Sequence, residues 1–307
     1  MGMRRIDHTE IRVENIEHAL EWYEGVLGLK RVAGEGDRVH LTCGPTDHAD
    51  LTLRSGGHGF VSAAFGVEST EDLDAVEQRL TDAGAPYERV TEPDRPGTSE
   101  LVRFDLPSGH TFELAVGADG RAAGETDYGW DGETHTPCDI DHVNLLGAED
   151  PELVTRFLCD VIGLRHSLSI QVQGQWVAAW SRSTAIDHDV AYMSAVREGD
   201  RLHHVAFLMA DSNHYQRLGD RLASEGYRFE FGPGRHGGAG ARNVTGFGTN
   251  LFAYAFDPSG NRNEFSGDMK IYADDATPGV LDGTGSIPDM MNLWALNMPE
   301  SFMTVGS

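Results

Sequence analysis

Residues 5–13 run or alternate apolar and polar as a strand does. Over 15–27 the apolar positions shift to a helical spacing, at Ile16, Ala19, Leu20, Tyr23 and Leu27. Gly28 then stands where a helix end favours a residue tolerant of left-handed φ. Short strands are predicted near 38–43 and 50–54, each bounded by Gly, Pro or Asp. A second unit opens with a strand over 60–67. It continues in a helix with Ser69 as N-cap, acidic residues in its first turn, Leu73, Val76 and Leu80 as its buried face, and Gly84 as its stop. The pattern is β-α-β-β-β, twice.

The same pattern then repeats. Ile6-Asp7-His8-Thr9 returns as Ile140-Asp141-His142-Val143, and Val26-Leu27-Gly28-Leu29 as Val161-Ile162-Gly163-Leu164. The stretch 59–87 is echoed by 202–229, and FDLPSGHTFEL (104–114) by FDPSGNRNEF (256–265). Landmarks in one order at similar intervals indicate a duplication. The expected fold is α+β: four βαβββ modules, two per domain, forming two barrel-like, half-open sheets. We place an N-terminal domain at 1–132, a C-terminal domain at 133–268, and a tail at 269–307. The Gly- and acid-rich stretch 117–137, which lacks periodicity, reads as the link. The tail ends in an apolar stretch broken at Pro299, expected to pack on the body or over a pocket.

Composition narrows the partners. The 307 residues carry a formal net charge of −25, which works against binding to nucleic-acid backbones or anionic lipid. No run approaches the ~18 apolar residues of a membrane span, and the N-terminus has no apolar signal core. Cys43, Cys138 and Cys159 are odd in number and include no C-x-x-C pair, so no disulfide framework is expected. A cytoplasmic protein is expected. The 14 His are the more informative count, since imidazole is the commonest metal ligand and acid–base group.

The duplication asks which copy holds ligand chemistry. In the second half His142 lies on the first strand, His203 and His204 open the next unit, and Glu264 lies on the last strand. The corresponding residues of the first half are His8, Ser62 and Glu113, and a Ser is a poor ligand. One full 2-His-1-carboxylate set is therefore available, the facial set that leaves positions open for substrate and dioxygen on a first-row metal. Strand alternation turns neighbouring side chains to opposite faces, so only one of His203 and His204 is expected to point inward. Spacing does not choose between them.

These residues resemble the type I extradiol ring-cleaving dioxygenases of the vicinal oxygen chelate superfamily, nearest in character to the catechol 2,3-dioxygenases. The resemblance covers residues 1 to about 268. It is densest at His188-Asp189-Val190-Ala191, in 201–207, in GPGRHG (232–237) and in FDPSGNRNE (256–264), which resembles the family signature ending in the carboxylate ligand. It implies His142, His204 and Glu264 as metal ligands, with the second His of the His-His pair chosen. It also implies His188 over the dioxygen site, and His236 and Tyr254 at the substrate hydroxyls. The stretch from His236 to Tyr254 is longer than the family pattern suggests, which bears on the place of His236.

The implied activity is extradiol cleavage of a catechol by O2, giving a 2-hydroxymuconic semialdehyde-type product, with Fe(II) as cofactor and Mn(II) fitting the same ligands. The implied alternatives are a 2,3-dihydroxybiphenyl or homoprotocatechuate dioxygenase, or a non-oxygenase metalloenzyme of the glyoxalase or epimerase type. The implied partners are a catecholic small molecule and O2, within a homo-oligomer, a tetramer, and with neither nucleic acid nor membrane. Trp176, Trp180, Phe252, Leu293, Trp294 and Phe302 are candidates to line an apolar pocket.

Overall fold

The computed structural model describes residues 2–118, 135–237, 249–273, 275–284, 291–294 and 298–307. The first half contains eight strands: β1 (Met3–Val13), β2 (Lys30–Glu35), β3 (Arg38–Thr42), β4 (Leu51–Ser55), β5 (Gly59–Val67), β6 (Tyr87–Val90), β7 (Thr98–Asp105) and β8 (Thr111–Gly117). They form one sheet in the order β2-β3-β4-β1-β5-β8-β7-β6.

The second half repeats this with β9 (Asp139–Gly147), β10 (Arg165–Val172), β11 (Gln175–Arg182), β12 (Val190–Ser194), β13 (Leu202–Leu208), β14 (Phe231–Arg235), β15 (Leu251–Phe256) and β16 (Arg262–Gly267). Read from β10 to β14, the order is again 2-3-4-1-5-8-7-6, so the duplication read from sequence is a duplication of topology. In both sheets the first strand sits centrally. It runs parallel to the fourth strand of its own module and antiparallel to the first strand of the next. One strand from the tail, β17 (Gly279–Asp282), extends the second sheet by pairing parallel to β10.

Helices cover the sheets: α1 (Ile16–Leu20), α2 (Thr70–Asp82), α3 (Pro151–Phe157) and α4 (Ser212–Ser224). The helix expected over 15–27 is α-helical only to Leu20 and widens to a π turn over Glu21–Val26; α3 does the same over Leu158–Ile162. Gly28 and Gly163 follow with φ of +82° and +100°, the left-handed turn that stops each helix. Ser69 occupies the N-cap of α2 with extended backbone, but its side chain makes no capping bond; Asn15 and Asp211 do cap α1 and α4. Strand β2 was absent from the apolar pattern because it is an edge strand with solvent on both faces: Lys30, Arg31, Gly34 and Glu35 are exposed.

The halves share one apolar core, in which Trp22 and Tyr23 of the first half are fully buried. Each finds a polar partner in the second: Trp22 Nε1 donates to Asn263 Oδ1 at 2.7 Å, and Tyr23 Oη to Asp257 Oδ2 at 3.0 Å. The boundary expected near 132 and most of the linker lie outside the described residues. In the tail, Pro299 is the N-cap of a short helix, α5 (Glu300–Thr304), which buries Phe302; part of the apolar stretch preceding it lies outside the described residues. Arg262 of β16 anchors this segment. Its guanidinium donates to the carbonyls of Ser301 and Val305, at 3.0 and 2.8 Å, and pairs with Glu230 at 2.7 Å.

Candidate metal centre

Register explains why three distant residues meet. On the second sheet β9 lies beside β13, and β13 beside β16, with Ala206 opposite both His142 and Glu264. His204 is two residues from Ala206 and so shares its face. One ligand atom each from His142, His204 and Glu264 lies within 4.8 Å of the others, and all three residues are buried. Glu264 Oε2 is 3.1 Å from His142 Nε2 and 2.9 Å from His204 Nε2, and the two Nε2 atoms are 3.1 Å apart.

The surrounding hydrogen bonds fix the protons. Asp141 Oδ2 accepts from His142 Nδ1 at 3.0 Å, leaving the Nε2 lone pair free. His203 Nε2 faces the Phe302 carbonyl at 2.8 Å and must donate to it, because a carbonyl only accepts. His203 Nδ1 then accepts from His204 Nδ1 at 2.7 Å, which frees the His204 Nε2 lone pair. Asn250 Nδ2 donates to Glu264 Oε1 at 3.0 Å and leaves Oε2 turned to the imidazoles. Against burial, which raises it, the two imidazoles hold the Glu264 carboxyl well below the usual carboxylate range. Two imidazole nitrogens and a carboxylate oxygen, buried and about 3 Å apart, repel unless a positive charge, a proton or a metal ion, sits among them. Against burial, which lowers it, Glu264 and Asp141 accordingly push the His142 imidazole up to about 9. The residues present therefore fit a divalent first-row metal.

His203 corrects the alternation argument. Both His203 and His204 are buried and line the same cavity, because a register shift between Leu202 and His204 puts an irregularity in β13 at His203. His203 then orients His204 through Nδ1.

The other expected site residues gather around this group. The ring of His188 stands edge-on 4.3 Å from that of His142, and its Nδ1 is bonded to Asp187 Oδ2 at 2.9 Å. His236 Nδ1 donates to the Met291 carbonyl at 2.6 Å, so its Nε2 accepts from the Tyr254 hydroxyl at 3.0 Å. Burial holds the His236 imidazole at about 4, and burial with the Glu264 charge raises the Tyr254 phenol well above its ordinary value. Phe252 stacks on His236 with ring centroids 3.9 Å apart. Residues 238–248, which make up most of the long stretch noted in the sequence, lie outside the described residues.

These side chains face a cavity of about 240 Å³. Of the side chains expected to line it, Trp180 and Phe302 do. Trp176 stacks instead on His166, Phe252 is core behind His236, and Leu293 and Trp294 face solvent.

The first half is a site converted to an internal ion pair. Ala64 pairs with His8 and Glu113 as Ala206 does with His142 and Glu264, which puts Ser62 in the place of His204. Arg103 stands opposite Glu113 where Tyr254 stands opposite Glu264, and its Nε donates to Glu113 Oε1 at 2.8 Å. A guanidinium supplies the positive charge there.

Sequence reasoning missed the groups behind the ligands: Asp141, Asp187, Asn250 and Arg262. A signal for two of them was present, since Ile-Asp-His occurs at 6–8, 140–142 and 186–188, and each Asp accepts from the Nδ1 of the His that follows.

Fold and site together define a metal-dependent enzyme built on tandem βαβββ sheets. The sequence pattern of the Glyoxalase/Bleomycin resistance protein/Dioxygenase superfamily matches residues 5–114 and 139–265, and the chain belongs to that superfamily. Dioxygenases of that superfamily resemble it over most of its length. It is 30% identical over 290 residues to a metapyrocatechase of Pseudomonas sp. (strain CF600), covering 89% of each chain. It is 27% identical over 293 residues to a manganese-dependent 2,3-dihydroxybiphenyl 1,2-dioxygenase of Geobacillus genomosp. 3, covering 89% of this chain and 88% of that one. The crystal structure of the 2,3-dioxygenase LapB from Pseudomonas sp. KL28 superposes with a TM-score of 0.79 at 26% identity, covering 92% and 98%. The chain is a metal-dependent, extradiol-type ring-cleaving dioxygenase. No helix among the described residues is long and apolar enough to cross a membrane.

Proposed function

We propose that the chain opens a catechol ring by inserting both atoms of O2 beside the two hydroxyls, and that His142, His204 and Glu264 hold the metal, Fe(II) first and Mn(II) as the alternative. The observation that carries this reading is the convergence of the three donors on a cavity that His188, His236 and Tyr254 also line. A bound Fe(II) would supply Lewis acidity toward the diol and a redox partner for dioxygen.

The chain's own groups bind, orient and move protons. In the resting site the Tyr254 hydroxyl donates to His236 Nε2, so a diol hydroxyl that donates to the Tyr254 oxygen can pass its proton along as the Tyr254 proton moves to that nitrogen. His188, held by Asp187 through Nδ1, presents Nε2 to the space over the ligands, where it can hold a proton and return it to an oxygen leaving the ring system. Trp180, Ala178 and Ile170 close the cavity with apolar surface and keep bulk water from the reacting atoms.

In this reading 133–268 is the catalytic domain, 1–132 a domain with a degenerate site, and 269–307 a tail that covers part of the pocket. A cytoplasmic homotetramer is the corresponding expectation from the family resemblance. The test is a catechol panel with anaerobically loaded Fe(II) or Mn(II), following yellow ring-opened product and oxygen uptake. One O2 consumed per ring opened supports the reading; metal-loaded protein that cleaves no catechol contradicts it.

A further inference from the structure

Alternate residues of one strand line the cavity. His142, Asn144 and Leu146 of β9 all face it, with His142 at the ligand end. At about 3.3 Å per residue, Leu146 lies roughly 13 Å along the strand from His142. A catechol held at the ligand group extends about 5 Å from its oxygens to its far ring hydrogens. The outer part of the cavity therefore lies beyond the ring.

The lining is mostly apolar. Leu146 is paired with Met193 on β12, Ile170, Val172, Val177 and Val305 line the cavity with them, and Ser194 and Thr304 add two hydroxyls. The cavity opens past Val196 and Met303, both exposed. Among the described lining residues, Asp200 is the charged side chain besides Glu264. A methyl group built on Gly306 would lie 2.5 Å from Leu146 Cδ1 and 3.0 Å from Asp200 Oδ2, so all three share one spot on the wall. No arginine or lysine lines the cavity among the described residues.

We infer that the preferred substrate is an uncharged catechol bearing an apolar substituent, an alkyl chain or second ring that fills the channel between Leu146, Met193 and Val305. Asp200 selects against substituents ending in a carboxylate. An apolar group leaves water for an apolar wall, whereas a carboxylate brought there meets a like charge in a site of reduced dielectric. Leu146, Met193 and Val305 set the length accepted, and Asp200 sets the charge. This rests on the ring-cleavage reading and adds the substrate class.

Four ligands test it on the metal-loaded protein: catechol, 4-butylcatechol, 2,3-dihydroxybiphenyl and 3,4-dihydroxyphenylacetate. Dissociation constants are measured anaerobically, and kcat/KM in air. The two apolar-substituted catechols should exceed catechol by about tenfold or more, and the acid should fall below it by a similar factor. Asp200→Asn should raise the acid's kcat/KM relative to that of butylcatechol. Leu146→Trp should lower the ratio of butylcatechol to catechol; Met193→Phe tests the same wall should the tryptophan disturb folding. Equal or better use of the acid, or no gain from the butyl or phenyl group, would overturn the inference. Cleavage of none of the four would sink the ring-cleavage reading instead, and the anaerobic constants would still decide the order of preference.

Discussion

Arg5, on the first strand of the first half, reaches into the second half and caps Asp141. Its Nη2 donates to the Asp141 main-chain carbonyl at 3.1 Å and forms an ion pair with the carboxylate. Asp141 in turn accepts from His142 Nδ1. Against burial, which would raise it, the Asp141 carboxyl is held far below its usual range by His142 and Arg5. The half without a full ligand set thus supports the half that has one.

This makes Arg5 a positioning residue whose loss is read in metal affinity. Arg5→Ala should weaken metal binding by about 10- to 100-fold, the range typical of groups behind a ligand, in an otherwise folded protein. Competition with a chromophoric chelator measures it. Unchanged affinity with an intact far-UV spectrum would show that Asp141 holds its ligand unaided.

Asp187 plays the corresponding part for His188. It is fully buried, and Tyr272 lies against it, its phenol pushed up first by burial and then by the Asp187 charge. Asp187→Asn should retain metal and anaerobic catechol binding yet lose about 100-fold in kcat, because the imidazole keeps its place but loses the anion that supports its proton traffic. A fall in KM alone, with kcat intact, would remove His188 from the chemistry.

Much of this was legible in sequence because duplication exposes chemistry: comparing His142, His204 and Glu264 with His8, Ser62 and Glu113 isolates one complete set. What stayed hidden depends on long-range partners or broken local rules. Arg5 and Asp141 are 136 residues apart, and nothing local links them. The irregularity at His203 defeats the two-residue alternation on which the inward-facing argument relied. Strand β2, with both faces wet, carries no apolar rhythm to find. Trp176 and Phe252 show the limit of reading aromatics as pocket walls, since stacking on a His serves packing equally well.

The converted site of the first half predicts a pH dependence of stability. Burial raises the Glu113 carboxyl, but His8, Arg95 and Arg103 outweigh it and bring the group from 4.5 to about 2. A carboxyl depressed in the fold contributes stability above its unfolded value and loses it as pH falls toward the folded one. That contribution, about 3 kcal/mol, should therefore disappear between pH 4.5 and 2. Glu113→Gln should be markedly less stable than the parent at pH 7, and the gap should shrink across that window. A gap that does not change with pH would contradict it.

Charge also sets the response to salt. The net −25 is carried with only two lysines, Lys30 and Lys270, so the positive charge is nearly all Arg. Such an excess repels itself over a surface that 0.1 M salt screens only beyond about 10 Å, against about 3 Å at 1 M. Raising KCl from 0.1 to 1 M should lift Tm by about 5 °C or more. A flat or falling Tm would mean that local pairs, such as those of Glu10 with Arg38, Arg54 and Arg95, already neutralise the excess.

The most direct test is to locate the metal itself. Crystals of the protein loaded anaerobically with Fe(II), measured on both sides of the iron absorption edge, should show one anomalous peak per chain within bonding distance of His142 Nε2, His204 Nε2 and Glu264 Oε2. None should appear between His8 and Glu113. A peak elsewhere, or density at His203 in place of His204, would contradict the account.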